Sequence, residues 1–185
     1  MITYDDLLKQ ITNTIGKTKV IELGLILKKQ DFALRDLIGL TFHPDKNIAF
    51  RAAWILENLF LQNPESYLPD LDYLIFRVPD VKHASCQRHY AKILMHITAK
   101  KAPPAILAIL DTIDLEAIVE KCFDWMIGAK VKIAVKVFSA EVLFNLKDRY
   151  PWIKDELINQ IQFLMRNGTA AIQSRGKKLL ALLTA

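Results

Sequence analysis

Ten side chains stand at matching places in four stretches of this chain, and their types suit them to hold a partner: Arg51, Trp54 and Asn58; His89, Lys92 and His96; Phe138 and Asn145; Arg175 and Lys178. Aligned slot by slot, one column reads Arg51, His89, Phe138, Arg175 and another reads Asn58, His96, Asn145. Cationic groups pair with carboxylates or phosphates, and Trp54 and Phe138 offer flat faces for stacking. Tryptophan and arginine are also the types that carry most binding energy between proteins. A solvated helix face with two aromatics tucked between repeats would show the same composition. The pattern therefore speaks for non-covalent binding, and its ligand class has to be argued separately.

Other chemistries find less support. His83, Cys86 and His89 are spaced i, i+3, i+6, which spreads them round a helix and over ~9 Å of its length, so they do not converge on one ion. The chain has no P-loop, no G-x-S-x-G and no dinucleotide fingerprint. Acidic pairs such as Asp5-Asp6 and Asp155-Glu156 fall in first helical turns, where they complement the helix dipole. Neither a cofactor nor a metal is expected, and the chain leans away from being an enzyme.

The candidate residues are held by a helix written four times: Ile48 to Leu56, Cys86 to Leu94, Val135 to Leu143 and Ile172 to Leu180. Apolar residues occupy the first, eighth and ninth slots of each copy, and successive copies are offset by 38, 49 and 37 residues. A period in that range belongs to stacked helical hairpins, each covering its neighbour's apolar face. On a wheel of ~100° per residue, Ile48, Ala52, Ile55, Leu56 and Leu59 form a core face. Asn47, Arg51, Trp54 and Asn58 form another, matched by Ser85, His89, Lys92 and His96.

Caps and breakers set the remaining elements. Thr3 caps a helix over 4–15 that Gly16 ends, and a second helix spans 18–29. Asp31 opens a third, closed at His43-Pro44, and Asp45 caps 46–62. A helix from Leu68 stops at Pro79, and Asp80 caps 81–99. Lys100 to Pro104 is a connector, followed by 104–111 and 114–127, ended by Gly128. Helices over 131–148, from Pro151 to 166, and from Asn167-Gly168 to 183 complete the chain. Counting 104–127 as one element gives five antiparallel pairs and explains the longer offset of 49. The fold class is all-α, an α-solenoid filling a single domain over 1–185.

Leu34, Leu37 and Ile38, then Pro44-Asp45, then Ile48 to Leu59 resemble one HEAT unit. Leu68 to Ile75, Pro79-Asp80 and Cys86 to Ile97 resemble a second. The likeness is good over 31–99 and looser over 130–184. HEAT units place an arginine directly after the first apolar residue of the second helix; here that slot holds Ala49, Gln87, Lys136 and Gln173. The resemblance implies that second helices line the concave side, so the two columns would lie on or near a groove. It implies a non-catalytic scaffold that binds another protein there. The alternative is nucleic acid, because the chain is similar in architecture and basic balance to HEAT-like DNA alkylation-repair proteins.

The net charge of +5 permits an anionic partner without demanding one. Its distribution is uneven. Segment 81–101 carries Lys82, Arg88, Lys92, Lys100 and Lys101 with no acid, whereas 104–127 carries Asp111, Asp114, Glu116, Glu120 and Asp124 against Lys121 alone. The N-terminus has no basic and apolar leader pattern, and no apolar run approaches the ~20 residues that span a bilayer. Cys86 and Cys122 lack framework spacing and read as buried apolar residues in a reducing, cytoplasmic setting.

Overall fold

Thr3 opens the first helix: its backbone is extended, and its hydroxyl accepts from the Asp6 N–H at 3.2 Å. The computed structural model describes residues 2–13, 16–29 and 32–184, apart from the side chains of Lys17 and Lys28. Eleven α-helices follow in order: α1 (Tyr4–Thr12), α2 (Lys17–Lys29), α3 (Leu34–Leu40), α4 (Lys46–Gln62), α5 (Leu71–Arg77), α6 (Ala84–Ile97), α7 (Pro104–Thr112), α8 (Glu116–Ile127), α9 (Ile133–Leu146), α10 (Ile153–Met165) and α11 (Ala170–Thr184). Two 3₁₀ segments, Pro64–Asp70 and Val78–Asp80, flank α5. Among the described residues the sole β contact is an isolated parallel bridge between Ile2 and Phe32.

The helices form two layers. The second helices α2, α4, α6, α9 and α11 pack each on the next, and the first helices run alongside them: α3 on α4, α8 on α9, α10 on α11. That is the expected solenoid of five pairs, with α7 and α8 together forming one first element. The expected core face of α4 is buried, Ala52, Ile55 and Leu56 completely, Leu59 and Ile48 almost so. Each such side chain removes an apolar surface worth about 1.5–3 kcal/mol from water.

Local signals explain most boundaries. The Asp45 carboxylate caps α4 through the Asn47 N–H at 2.8 Å. Gly16 adopts φ of +85°, a conformation open to glycine at little cost. Gly128 follows α8 and donates to the Asp124 carbonyl.

Five boundaries differ from expectation. The helix expected from Leu68 starts at Leu71, because Pro64–Asp70 is a 3₁₀ segment with Pro69 inside it. Asp80 does not cap α6. Pro79 holds Val78–Asp80 in a 3₁₀ turn, the chain extends at Val81, and α6 starts only at Ala84 with His83 before it. The Asp80 carboxylate accepts from Arg77 Nε at 3.2 Å instead. The helix placed at 131–148 is shorter, Ile133–Leu146. α3 begins at Leu34 after Ala33, and Asp31 lies outside the described residues. α1 ends at Thr12, and residues 14–15 are likewise outside the description.

Candidate binding face

Second helices in a stack must join their neighbours, and here polar side chains share that task with the core. Glu57 is the only acid in α4 and is 5 % exposed. It meets two donors from α6: His89 Nδ1 at 2.6 Å and Lys92 Nζ at 2.6 Å. Burial pushes the Glu57 carboxyl up, but the hydrogen bonds and charges of His89 and Lys92 outweigh it and hold the group below its ordinary value of 4.5. The acceptor is therefore a carboxylate, and His89 Nδ1 carries the proton between them. The His89 ring is 1 % exposed, stacks on Trp54 with centroids 6.3 Å apart and planes 22° apart, and meets Phe50 at 5.4 Å. Its Nε2 is buried with no hydrogen-bond partner.

A carboxylate on Nδ1 with Nε2 unengaged has the layout of a general-base pair. Substrate cannot reach a nitrogen in a ring this buried. The group joins α4 to α6 and holds Trp54 in place.

The other candidates follow the same logic. Arg51 Nη1 donates to the Thr12 carbonyl at 2.8 Å and reaches the Ile11 carbonyl at 3.4 Å, completing the C-terminal end of α1. Such carbonyls lack intrahelical donors and form the negative end of the helix dipole, so a guanidinium suits them. Asn145 Nδ2 donates to the Met95 carbonyl at 3.3 Å and Thr98 Oγ1 at 3.1 Å, at the end of α6. Asn58 bonds within its own helix, to the Trp54 carbonyl at 2.8 Å. Arg175 pairs with Glu141 at 2.9 Å, joining α11 to α9. Phe138 is half-buried against the core. His96 is exposed beside a cavity of about 140 Å³ shared with Phe60, Ile93 and Lys101. Burial lowers its pKa, as do the nearby charges of Lys92 and Lys101. Lys178 is exposed, and its side chain meets no hydrogen-bond or ion-pair partner among the described residues.

The face is thus less cationic than its composition suggests. Arg51, Lys92 and Arg175 each spend charge on a neighbouring helix, and His89 is turned inward by Glu57, Phe50 and Trp54. Arg88 takes the exposed place on α6, one residue before His89 and four before Lys92, and its side chain meets no hydrogen-bond or ion-pair partner among the described residues. Sequence reasoning missed Arg88 and Glu57. A lone acid inside an apolar helix was the available signal for Glu57, with His89 and Lys92 three residues apart on the following second helix as its counterparts.

The slot where HEAT units carry arginine has a visible task in two copies. Lys136 Nζ donates to the Met126 carbonyl at 2.8 Å, and Gln173 Nε2 donates to the Met165 carbonyl, each at the end of the first helix of its own pair.

Among the described residues no three His, Cys, Asp or Glu side chains are grouped to hold a metal ion, and no helix is long and apolar enough to cross a membrane. Comparison with curated proteins and with solved structures gave no match. A family model, described as a HEAT repeat domain, matches residues 7–182. With the paired helices, the stacked second-helix layer and a match over nearly the whole length, this chain belongs to the HEAT-repeat family.

Proposed function

We propose that this helical-repeat scaffold binds another protein across the exposed ridge of its second helices. The observation that carries the reading is the composition of the second helices: Trp54 and Phe138 are half-buried against the core, and Arg88, His96 and Lys178 on the same layer are exposed. Rigid aromatics with adjacent cations are the anchors protein interfaces favour. Arg51, Asn58, His89, Lys92, Asn145 and Arg175 enter the proposal as the residues that hold the ridge in shape. Neutralisation of Lys92 and Arg175 by internal carboxylates favours a protein partner over nucleic acid, since grip on phosphates scales with unpaired cations. The free, buried Cys86 and Cys122 favour a reducing compartment.

The test is site-specific photocrosslinking in a lysate of the source cells. A photoreactive residue would stand at position 88, 138 or 178, or at control positions 5 and 72 on first helices. A shared protein adduct at the three ridge positions, lost when Trp54 is changed to Ala, supports the reading. Equal adducts at the controls, or adducts to nucleic acid alone, would overturn it. Fluorescence anisotropy with labelled duplex DNA, single-stranded DNA and RNA at low and physiological salt is the companion measurement. Salt-sensitive binding lost on changing Arg88 and Lys178 to Ala would replace the protein reading with the nucleic-acid one.

A further inference from the structure

The acidic run in the sequence falls on α8, on the first-helix layer, and its exposed side is only partly polar. Glu120, Phe123, Asp124 and Ile127 follow i, i+3, i+4, i+7 and share one stripe. Trp152, which precedes the first turn of α10, is 49 % exposed and stacks on Phe123 with ring centroids 5.6 Å apart and planes 25° apart. Glu156 and Gln160 continue the far wall along α10. Helices α8 and α10 both pack on α9, and together these side chains line a groove of about 420 Å³.

Two properties of this groove are unusual for a surface that only faces water. First, it exposes a stacked aromatic pair and Ile127, itself 56 % exposed. Contiguous apolar surface of this kind on a folded domain commonly marks a contact site. Second, its carboxylates are not neutralised. Among the described residues the side chains of Glu120 and Asp124 meet no hydrogen-bond or ion-pair partner, and that of Glu156 accepts only from the Gln160 amide at 2.8 Å. The nearby cations point elsewhere. Lys121 lies over the buried Trp125 ring at 5.9 Å, and Lys154 is ~200° round the helix from Glu156.

Unpaired carboxylates ask for a cation, and stacked rings ask for a flat, weakly hydrated one. A guanidinium meets both demands, because it lies on an aromatic face while its edge forks to a carboxylate. An ammonium meets only the first. The molecule as a whole carries +5, so a polycation is not drawn to it by net charge and must be recognised locally.

We propose that the groove between α8 and α10 docks an arginine-bearing segment of a partner protein, the guanidinium stacked on Trp152 and held by Glu120, Asp124 and Glu156. This surface is separate from the second-helix ridge and stands or falls independently of it.

The experiment is fluorescence anisotropy at physiological salt with a short fluorescein-labelled arginine-rich peptide, its lysine counterpart and its glutamate counterpart. The full chain is compared with Trp152→Ala, with Glu120→Gln/Asp124→Asn/Glu156→Gln, and with a control, Asp72→Asn/Asp80→Asn, which removes acids from a different first-helix surface. Thermal melts establish that each variant folds. The arginine peptide should bind about threefold or more tighter than the lysine peptide, Trp152→Ala should weaken it about fivefold, and the triple amide variant about tenfold or more. The control should bind as wild type. No binding of the arginine peptide would overturn the proposal. So would equal losses in the control, or binding indifferent to Trp152. If sedimentation shows the free chain self-associating through this groove, abolished by Trp152→Ala, a second copy is its occupant and the proposal is refuted.

Discussion

Replacing Glu57 by Gln tests whether the His89–Glu57–Lys92 contact holds α4 to α6. The change keeps shape and removes charge. A hydrogen bond to a charged group contributes about 1.5–3 kcal/mol when buried. The His89 bond counts near the full amount, because that ring is 1 % exposed and no water replaces the lost acceptor. The Lys92 side chain is 26 % exposed, so solvent recovers most of its share and its bond counts at about 1 kcal/mol or less. The amide oxygen of Gln still accepts from one donor, returning about 1 kcal/mol. The net expectation is a loss of about 2 kcal/mol, or about 4–8 °C in melting temperature for a chain of this size. Urea and thermal melts followed by circular dichroism supply the numbers.

Two further readings make that test specific. His89→Phe combined with Glu57→Gln should cost less than the two single changes added together, by about 1 kcal/mol, because no ring nitrogen is left seeking the lost carboxylate. The pH dependence has a fixed sign. The folded state holds the Glu57 carboxyl below its ordinary 4.5, so its contribution is fully present above that value and fades as pH falls through the lower folded value. The stability gap between wild type and Glu57→Gln should therefore narrow as pH falls below 4.5. A loss under about 0.5 kcal/mol, strict additivity, or a gap that widens in acid would each show that the contact is incidental.

Gly168→Ala should destabilise the C-terminal pair by about 1–3 kcal/mol, because the new Cβ would sit 2.6 Å from the Leu164 carbonyl oxygen and 2.7 Å from Ile172 Cγ2; hydrogen exchange should show the loss concentrated in α10 and α11. Cys86 and Cys122 should resist thiol reagents such as DTNB at neutral pH and react only on unfolding, since both are fully buried and burial pushes their thiols up to about 11 and about 12. Lys101→Gln should raise the His96 pKa toward its ordinary 6.5 in an NMR titration, because it removes one of the charges that disfavour the imidazolium; no upward shift would mean that burial and Lys92 set it without Lys101.

The fold was largely legible because its cause is periodic. Apolar residues at fixed slots of α4, α6, α9 and α11 must face a neighbour, and Asp45, Gly128 and the proline positions punctuate them through local chemistry. Asp80 failed as a cap because capping needs an extended backbone next to a helix start, and Pro79 put a 3₁₀ turn there instead. The candidate face was legible only in outline. A helical wheel separates core from surface for one helix in isolation, and in a stack the flanks of each second helix are covered by the next. His89 and Arg88 are consecutive in the chain and ~100° apart on that wheel, and the buried one of the two meets the carboxylate of Glu57, thirty-two residues earlier. At that separation the sequence marks only one partner, the lone acid within the apolar α4, and not the residue it meets.

The caps and pairs along the second-helix layer also share a direction. Arg51 reaches back to α1, His89 and Lys92 to Glu57 on α4, Asn145 to the end of α6, and Arg175 to Glu141 on α9. In the hydrogen-bonded cases the later unit supplies the proton and the earlier unit the lone pair, and the Arg175–Glu141 ion pair has its cation on the later unit too. The two ends of the stack are therefore not equivalent. Peeling away α1 frees a long guanidinium that can turn into water. Peeling away α11 strands the carboxylate of Glu141, one of whose oxygens is buried. The polarity belongs to this layer: on the first-helix side Arg35 donates forward to Asp70, so the two faces of the stack are joined in opposite senses.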